Sequence, residues 1–329
     1  MSIDLYPPII HENDLSPDSF GNEVDQICQE IHAACKGFGT DEDRLLKVMG
    51  SMSPETRYKV ALRYKELFGK ELVQVMESEC GNRNFGWALQ LLAVDPVQTE
   101  CLLIDKACKG AGTDEDLLFS IICGRTNKEI ELLKKKYFAW KTEDLGRRLD
   151  SELGGNLESL IFNVFQAAEE KYDPDYHNDA KIKADVEQLY SFGTGKWGTN
   201  EKGIFKILCA APPQYLKALN LAYAEKHGYT LPKVLEKELG GHVKQAAMYM
   251  VDMKLKPYEA AAKLIDKACR GMGTNELLLS ATIIRNQGIL KEVMVAHEEL
   301  FSKNLRDRIR SEVGGDYSRL LLQIIDSAE

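Results

Sequence analysis

No stretch of the chain approaches the ~20 apolar residues that a membrane-spanning helix needs, so no span is expected. Met1 to Pro8 hold neither a basic region nor a long apolar run, and no secretory signal is expected. Positive charge is short as well: 42 Lys and Arg face 51 Asp and Glu, a net charge of −9. That balance argues against nucleic acid, whose phosphates require a basic face, and against unaided binding to an anionic bilayer. Metal and catalytic signatures are missing too. There is no Cys-x-x-Cys and no His-Glu-x-x-His, so zinc finds no support. The six His are scattered, with no coherent nucleophile, base and orienter, and the chain does not read as an enzyme.

Eight cysteines would suit a disulfide framework only in a small exported domain, and 329 residues are ample for a buried core. Cys28 and Cys35, like Cys101 and Cys108, stand seven apart, two helical turns along one face and too distant to bridge. They read as reduced, buried, small apolar residues. The alternation typical of strands is missing, whereas helical periodicity is widespread; the expected fold class is all-α.

What the chain has in abundance is a repeated loop. It reads Lys36-Gly37-Phe38-Gly39-Thr40, Lys109-Gly110-Ala111-Gly112-Thr113, Gly195-Lys196-Trp197-Gly198-Thr199 and Arg270-Gly271-Met272-Gly273-Thr274. An acid follows each Thr: Glu79, Glu152 and Glu238 after 39 residues, Glu312 after 38. Leu103 to Cys108 is repeated residue for residue at Leu264 to Cys269. Repeats of about 70 residues exceed the common solenoid units, so each should be a small helical bundle. The expected division is a flexible tail over 1–22, repeats over 23–94 and 95–168, a linker over 169–180, and repeats over 181–253 and 254–329. The Thr-to-Thr steps of 73, 86 and 75 residues place extra chain in the middle, which predicts a linker between two halves of two repeats each.

Within the second repeat the punctuation predicts five helices. Lys109-Gly110 marks the end of the first. Thr113 is the expected N-cap of the next, with Asp116 completing a capping-box pattern, as Thr40 and Asp43 would in the first repeat. A short fourth helix ends at Glu152-Leu153-Gly154-Gly155, and a strongly apolar fifth runs through Leu157, Leu160, Ile161 and Val164. If the second and fourth helices run antiparallel, the loop and the acid finish at the same end of the bundle.

A Gly-x-Gly-Thr turn at a helix end offers carbonyl oxygens, and a nearby carboxylate adds one or two more. That is chemistry for a hard cation. Three carbonyls and a bidentate Glu fall short of the six to eight oxygens Ca2+ prefers, leaving positions for water or a ligand's phosphate. One copy alone could be no more than a Gly-capped helix end, but capping does not call for an acid at a near-constant distance four times over. Phe38, Trp197 and Met272 put bulky apolar groups between or beside the glycines. They would either pack on a neighbouring loop or enter a membrane interface. Lys36, Lys109, Lys196 and Arg270 would either meet anionic headgroups or complement helix C-termini. Four bound Ca2+ ions would bring the net charge from −9 to about −1 and make the ion a switch for docking.

Four helical repeats with Lys-Gly-x-Gly-Thr and an acid about 39 residues on resemble the annexins, and the likeness covers residues 23 to 329. The resemblance implies four five-helix repeats in a slightly curved disc whose convex face binds Ca2+ and anionic phospholipid in the cytoplasm. It implies carbonyl ligands from Cys35, Gly37 and Gly39 with Glu79, and from Cys108, Gly110 and Gly112 with Glu152. In the third repeat Lys196 replaces the first Gly, and the family's variant there uses Gly193, Lys196 and Gly198 with Glu238. Cys269, Gly271 and Gly273 with Glu312 complete the set. The first repeat departs at Glu79-Cys80-Gly81-Asn82, where the others pair two glycines, and the fourth is one residue shorter; either departure could weaken its site. The Cys before three of the loops is a redox handle or a neutral packing exchange. A structural protein on the same fold, binding cytoskeletal filaments or itself, is the alternative reading.

Overall fold

The computed structural model describes residues 2–11, 20–37, 39–110, 112–193, 200–271 and 273–328. Among them are twenty α-helices and no β-strand. The helices fall into four sets of five. The first repeat holds α1 (Asn22–Ala34), α2 (Glu42–Gly50), α3 (Pro54–Phe68), α4 (Leu72–Cys80) and α5 (Asn84–Leu92); the second holds α6 (Pro96–Ala107), α7 (Glu115–Ile122), α8 (Asn127–Lys141), α9 (Leu145–Glu152) and α10 (Gly155–Phe165). The third holds α11 (Asp179–Phe192), α12 (Glu201–Ala210), α13 (Pro213–His227), α14 (Leu231–Glu238) and α15 (Gly241–Leu255). The fourth holds α16 (Pro257–Ala268), α17 (Glu276–Arg285), α18 (Leu290–Phe301), α19 (Leu305–Glu312) and α20 (Gly315–Asp326).

Local chemistry sets these boundaries. The third helix of the second repeat opens on a reciprocal capping box, in which the Thr126 hydroxyl accepts from the Glu129 N–H and the Glu129 carboxylate accepts from the Thr126 N–H. The equivalent helix of the first repeat opens on Ser53-Pro54, with Pro54 at a position where its missing N–H costs nothing. Both helices end on a left-handed residue, Thr142 and Gly69, which closes a bond back to the last turn. The fifth helix of each repeat buries apolar side chains, among them Leu160, Ile161 and Phe165 of α10. Each such side chain contributes about 1.5–3 kcal/mol on leaving water.

The chain divides into two compact units, and their membership corrects the expected halves. One unit is Met1–Asp4 with Ile104–Ala260; the other is Leu5–Leu103 with Ala261–Glu329. The second repeat thus packs with the third, and the first with the fourth. In the first unit, α10 lies against α7, α12 and α15, and α7 against α15. In the second, α20 lies against α2, α5 and α17, and α17 against α5. A fifth helix that is apolar on more than one side needs a second partner besides its own bundle, and the partner repeat supplies it. The segment over 169–180 therefore lies inside one unit. It is held by His177, whose ring bonds the Asp173 main chain and the Glu170 carboxylate.

The amino-terminal tail departs from the expectation of flexibility over its described part. Leu5, Tyr6 and Ile9 are buried, Pro8–His11 forms a 3-10 turn, and the Tyr6 hydroxyl donates to the Glu100 carboxylate. Three apolar side chains over five residues suffice to anchor a short segment.

Candidate cation-binding loops

Each loop begins where the first helix of its repeat runs out of bonds. In the first repeat the Cys35 N–H still reaches Ile31 and the Lys36 N–H tightens to Ala33. The Asp41 N–H then returns to the Ala34 carbonyl at 2.9 Å, closing a compact turn. The same closure recurs from Asp114 to Ala107 (2.9 Å), Asn200 to Phe192 (2.7 Å) and Asn275 to Ala268 (2.8 Å). Inside the turn Gly37 and Gly39 stand at φ 123° and 90°, and Gly110 and Gly112 at 123° and 111°. A side chain at either position would be strained, which explains the Gly-x-Gly pattern. Gly271 and Gly273 repeat the geometry, and all six glycines are exposed.

The capping residue is not the Thr expected from sequence. Asp41, Asp114, Asn200 and Asn275, each one position later, cap α2, α7, α12 and α17 by accepting a main-chain N–H at 3.0–3.1 Å. The signal was present in the sequence, since Asp or Asn follows the Thr in all four copies and both outrank Thr as caps. The Thr hydroxyl is thereby released for the acid. Thr40 Oγ1 donates to Glu79 at 2.8 Å, Thr113 Oγ1 to Glu152 at 2.7 Å and Thr274 Oγ1 to Glu312 at 3.4 Å. These acids sit in the last turns of α4, α9 and α19, so residues 38 or 39 apart in sequence are in contact.

In the third repeat, Gly193 caps the end of α11. A Cβ placed on it would meet the Glu238 Cγ at 3.2 Å, so that acid also lies against the start of its loop. Lys196, Trp197 and Gly198, like Phe38 and Met272, lie outside the described residues. Lys36, Lys109 and Arg270 are exposed beside their loops, and Arg270 pairs with Asp266.

Two arginines were not anticipated. Arg148 Nη2 donates to the Cys108 carbonyl at 2.7 Å and lies 3.0 Å from Glu152 Oε1. Arg308 Nη2 reaches the Cys269 carbonyl at 3.4 Å, and its Nε lies 3.5 Å from Glu312 Oε1. Each stands four residues before its acid on one helix face, a spacing visible in the sequence, but the reach to the loop carbonyl depends on the tertiary fold. Burial works against the Arg148 charge; Glu152 and its neighbours outweigh that, and its pKa is raised.

None of the eight cysteines, all of them described, forms a disulfide. Burial, followed by the nearby Glu79, pushes the Cys35 thiol up to about 12, and burial with Glu152 pushes Cys108 up to about 11. Burial also raises Cys269. A raised thiol pKa leaves almost no thiolate at neutral pH, which favours the packing role over the redox one. Alkylation of Cys35 and Cys108 by iodoacetamide at pH 7.5 is expected to run on the order of 10²-fold slower than for an ordinary cysteine. Mass spectrometry of the time course checks this, and labelling at the ordinary rate would contradict it.

Among the described residues, no group of three or more His, Cys, Asp or Glu side chains could hold a metal ion. A donor set of main-chain carbonyls with one carboxylate per repeat contains only a single such side chain. Four five-helix repeats that each bring a turn at a helix end against an acid define a class of all-α repeat protein whose ligand loops are largely main chain. The annexin family model matches residues 26–83, 100–164, 184–250 and 260–324, and the chain belongs to the annexin family. Annexin A13 of Mus musculus is 31% identical over 307 residues, covering 93% of this chain and 96% of the relative. The solved structure of annexin III superposes with a TM-score of 0.85 at 24% identity, over 95% of each chain, a likeness of fold. Chicken annexin V superposes at 0.82 with 25% identity, over 93% of this chain and 96% of that one. The family is non-enzymatic, and its general character is calcium and phospholipid binding.

Proposed function

We propose that this protein binds anionic phospholipid membranes in a Ca2+-dependent manner, as a cytoplasmic protein that becomes peripheral when calcium rises. The observation that carries the reading is the contact of loop and acid: Thr40 on Glu79, Thr113 on Glu152, Thr274 on Glu312, and Gly193 against Glu238. The donor chemistry fits a hard, oxygen-seeking cation with loose geometric demands, and it suits Ca2+ better than Mg2+. The residues that would hold it are the carbonyls of Cys35, Gly37 and Gly39 with Glu79, of Cys108, Gly110 and Gly112 with Glu152, of Gly193, Lys196 and Gly198 with Glu238, and of Cys269, Gly271 and Gly273 with Glu312. When bound, the ion would supply the positive charge that joins a carboxylate-bearing loop to a lipid phosphate.

The protein's own groups divide the remaining work. The Thr hydroxyl orients the carboxylate toward the loop, and the closing main-chain bond holds the two ends of the turn together. Phe38, Trp197 and Met272 would enter the interface, with Lys36, Lys109, Lys196 and Arg270 meeting the headgroups. A single carboxylate makes each site weak, and several loops acting together give firm attachment. The full chain is expected to sediment with phosphatidylserine vesicles in Ca2+, to be released by a chelator, and to ignore phosphatidylcholine vesicles. Sedimentation that persists in chelator would overturn the calcium dependence. Co-sedimentation with cytoskeletal filaments in the absence of calcium and lipid would support the structural alternative instead.

A further inference from the structure

The acids of the second and fourth repeats already have a cationic partner, and that partner also binds the loop. We infer that Arg148 and Arg308 are internal latches: each guanidinium bridges the first loop carbonyl and the acid, so that Ca2+ can take those oxygens only by displacing it. This rests on the calcium reading above and adds to it an order of filling, with the second repeat weaker than the first.

The geometry supports displacement over coexistence. A guanidinium presents several N–H groups in a fixed fork and can satisfy a carbonyl and a carboxylate at once, as Arg148 does at 2.7 and 3.0 Å. Those are oxygens a divalent cation would need, and the two like charges cannot share them. The pair is partly shielded, with the Arg148 and Glu152 side chains 28% and 18% exposed, so solvent does not erase the interaction. The fourth repeat is latched more loosely, at 3.4 and 3.5 Å, and Arg308 also has Asp266 at 3.3 Å, a second anion it can keep when it lets go of Glu312. The first repeat shows the unlatched arrangement. Val75 stands four residues before Glu79, and a cavity of about 320 Å³ lies beside Val75, Cys35 and Glu79. Val234 holds that position in the third repeat.

Isothermal titration of Ca2+ into the full chain, without lipid, tests the latch in R148V, R308V and the reverse change V75R. Loss of a charge-assisted bridge is expected to tighten one site about tenfold in R148V and a few-fold in R308V. Installing the bridge in V75R is expected to weaken one site about tenfold. Adding E152Q to R148V should remove the tightened site, which assigns it to the second repeat. A readout independent of calcium affinity is the thermal midpoint in chelator, which R148V should lower because the bridge then stabilises nothing. If R148V does not fold, R148K keeps the charge on a group too compact to span both oxygens, and an intermediate affinity is expected. Unchanged affinities in all folded variants of a wild type that binds calcium would overturn the latch and leave the calcium reading standing. A wild type that binds no calcium would overturn both.

Discussion

Replacing Glu79, Glu152, Glu238 and Glu312 together by Gln is expected to abolish Ca2+-dependent sedimentation with phosphatidylserine vesicles, raising the calcium requirement by at least about two orders of magnitude. Gln has the shape of Glu and still accepts a hydrogen bond, so the Thr40 and Thr113 hydroxyls keep a partner and the turns keep their closing bonds. What disappears is the negative charge and the bidentate oxygen pair. With one carboxylate per loop, neutralising it leaves only dipoles to face a doubly charged ion. In the second repeat the change also takes the Glu152 charge from the Arg148 guanidinium, which adds repulsion, whereas in the fourth Arg308 keeps Asp266. Circular dichroism in chelator should be indistinguishable from wild type, because the four acids lie at bundle ends and outside the core. Sedimentation at the wild-type calcium concentration would show that the acids are not the calcium ligands. Among single variants, E79Q is expected to cost most, since no Arg stands four residues before that acid.

E129A is expected to destabilise the unit formed by the second and third repeats by about 3–5 kcal/mol, the largest effect of any single substitution considered. Glu129 is fully buried, and both of its carboxylate oxygens are engaged. One carboxylate oxygen lies 2.9 Å from Arg125, itself buried, and the other accepts from the Thr126 N–H and hydroxyl at 2.8 and 3.0 Å. Truncation takes the Glu129 carboxylate from beside the buried Arg125 charge and opens the first turn of α8. T126A separates the two effects, because loss of the cap alone should cost about 1 kcal/mol. The double change R125M/E129L removes both charges and should recover most of the loss, since a buried ion pair replaced by apolar groups of similar volume is often nearly neutral. Urea denaturation followed by circular dichroism measures all three. A loss below about 1 kcal/mol in E129A would mean that water reaches Arg125.

Much of this was legible in the residues themselves. Helical periodicity and the punctuation by Gly, Pro and capping residues specify five helices per repeat, because the four loops and acids recur at nearly fixed intervals. The meeting of loop and acid followed from helix count and direction alone, and Thr113 does touch Glu152. Thr and the Asp or Asn after it are both good caps. Local chemistry left the choice open, and the acid on α9 settled it by taking the Thr hydroxyl.

The sequence by itself determined the all-α class, the repeats and the acids that face the loops, since these depend on contacts within one bundle and on spacing along the chain. Only the tertiary structure decided which repeats pair and which loops carry a cation of their own. All four fifth helices bury apolar side chains, and the packing of α10 on α15 and of α20 on α5 is a choice of surface fit that periodicity does not encode. Arg148 spaced four residues before Glu152 predicts only a pair on a helix surface. Its second bond, to the Cys108 carbonyl 40 residues away, exists because the fold brings the end of α6 against the end of α9.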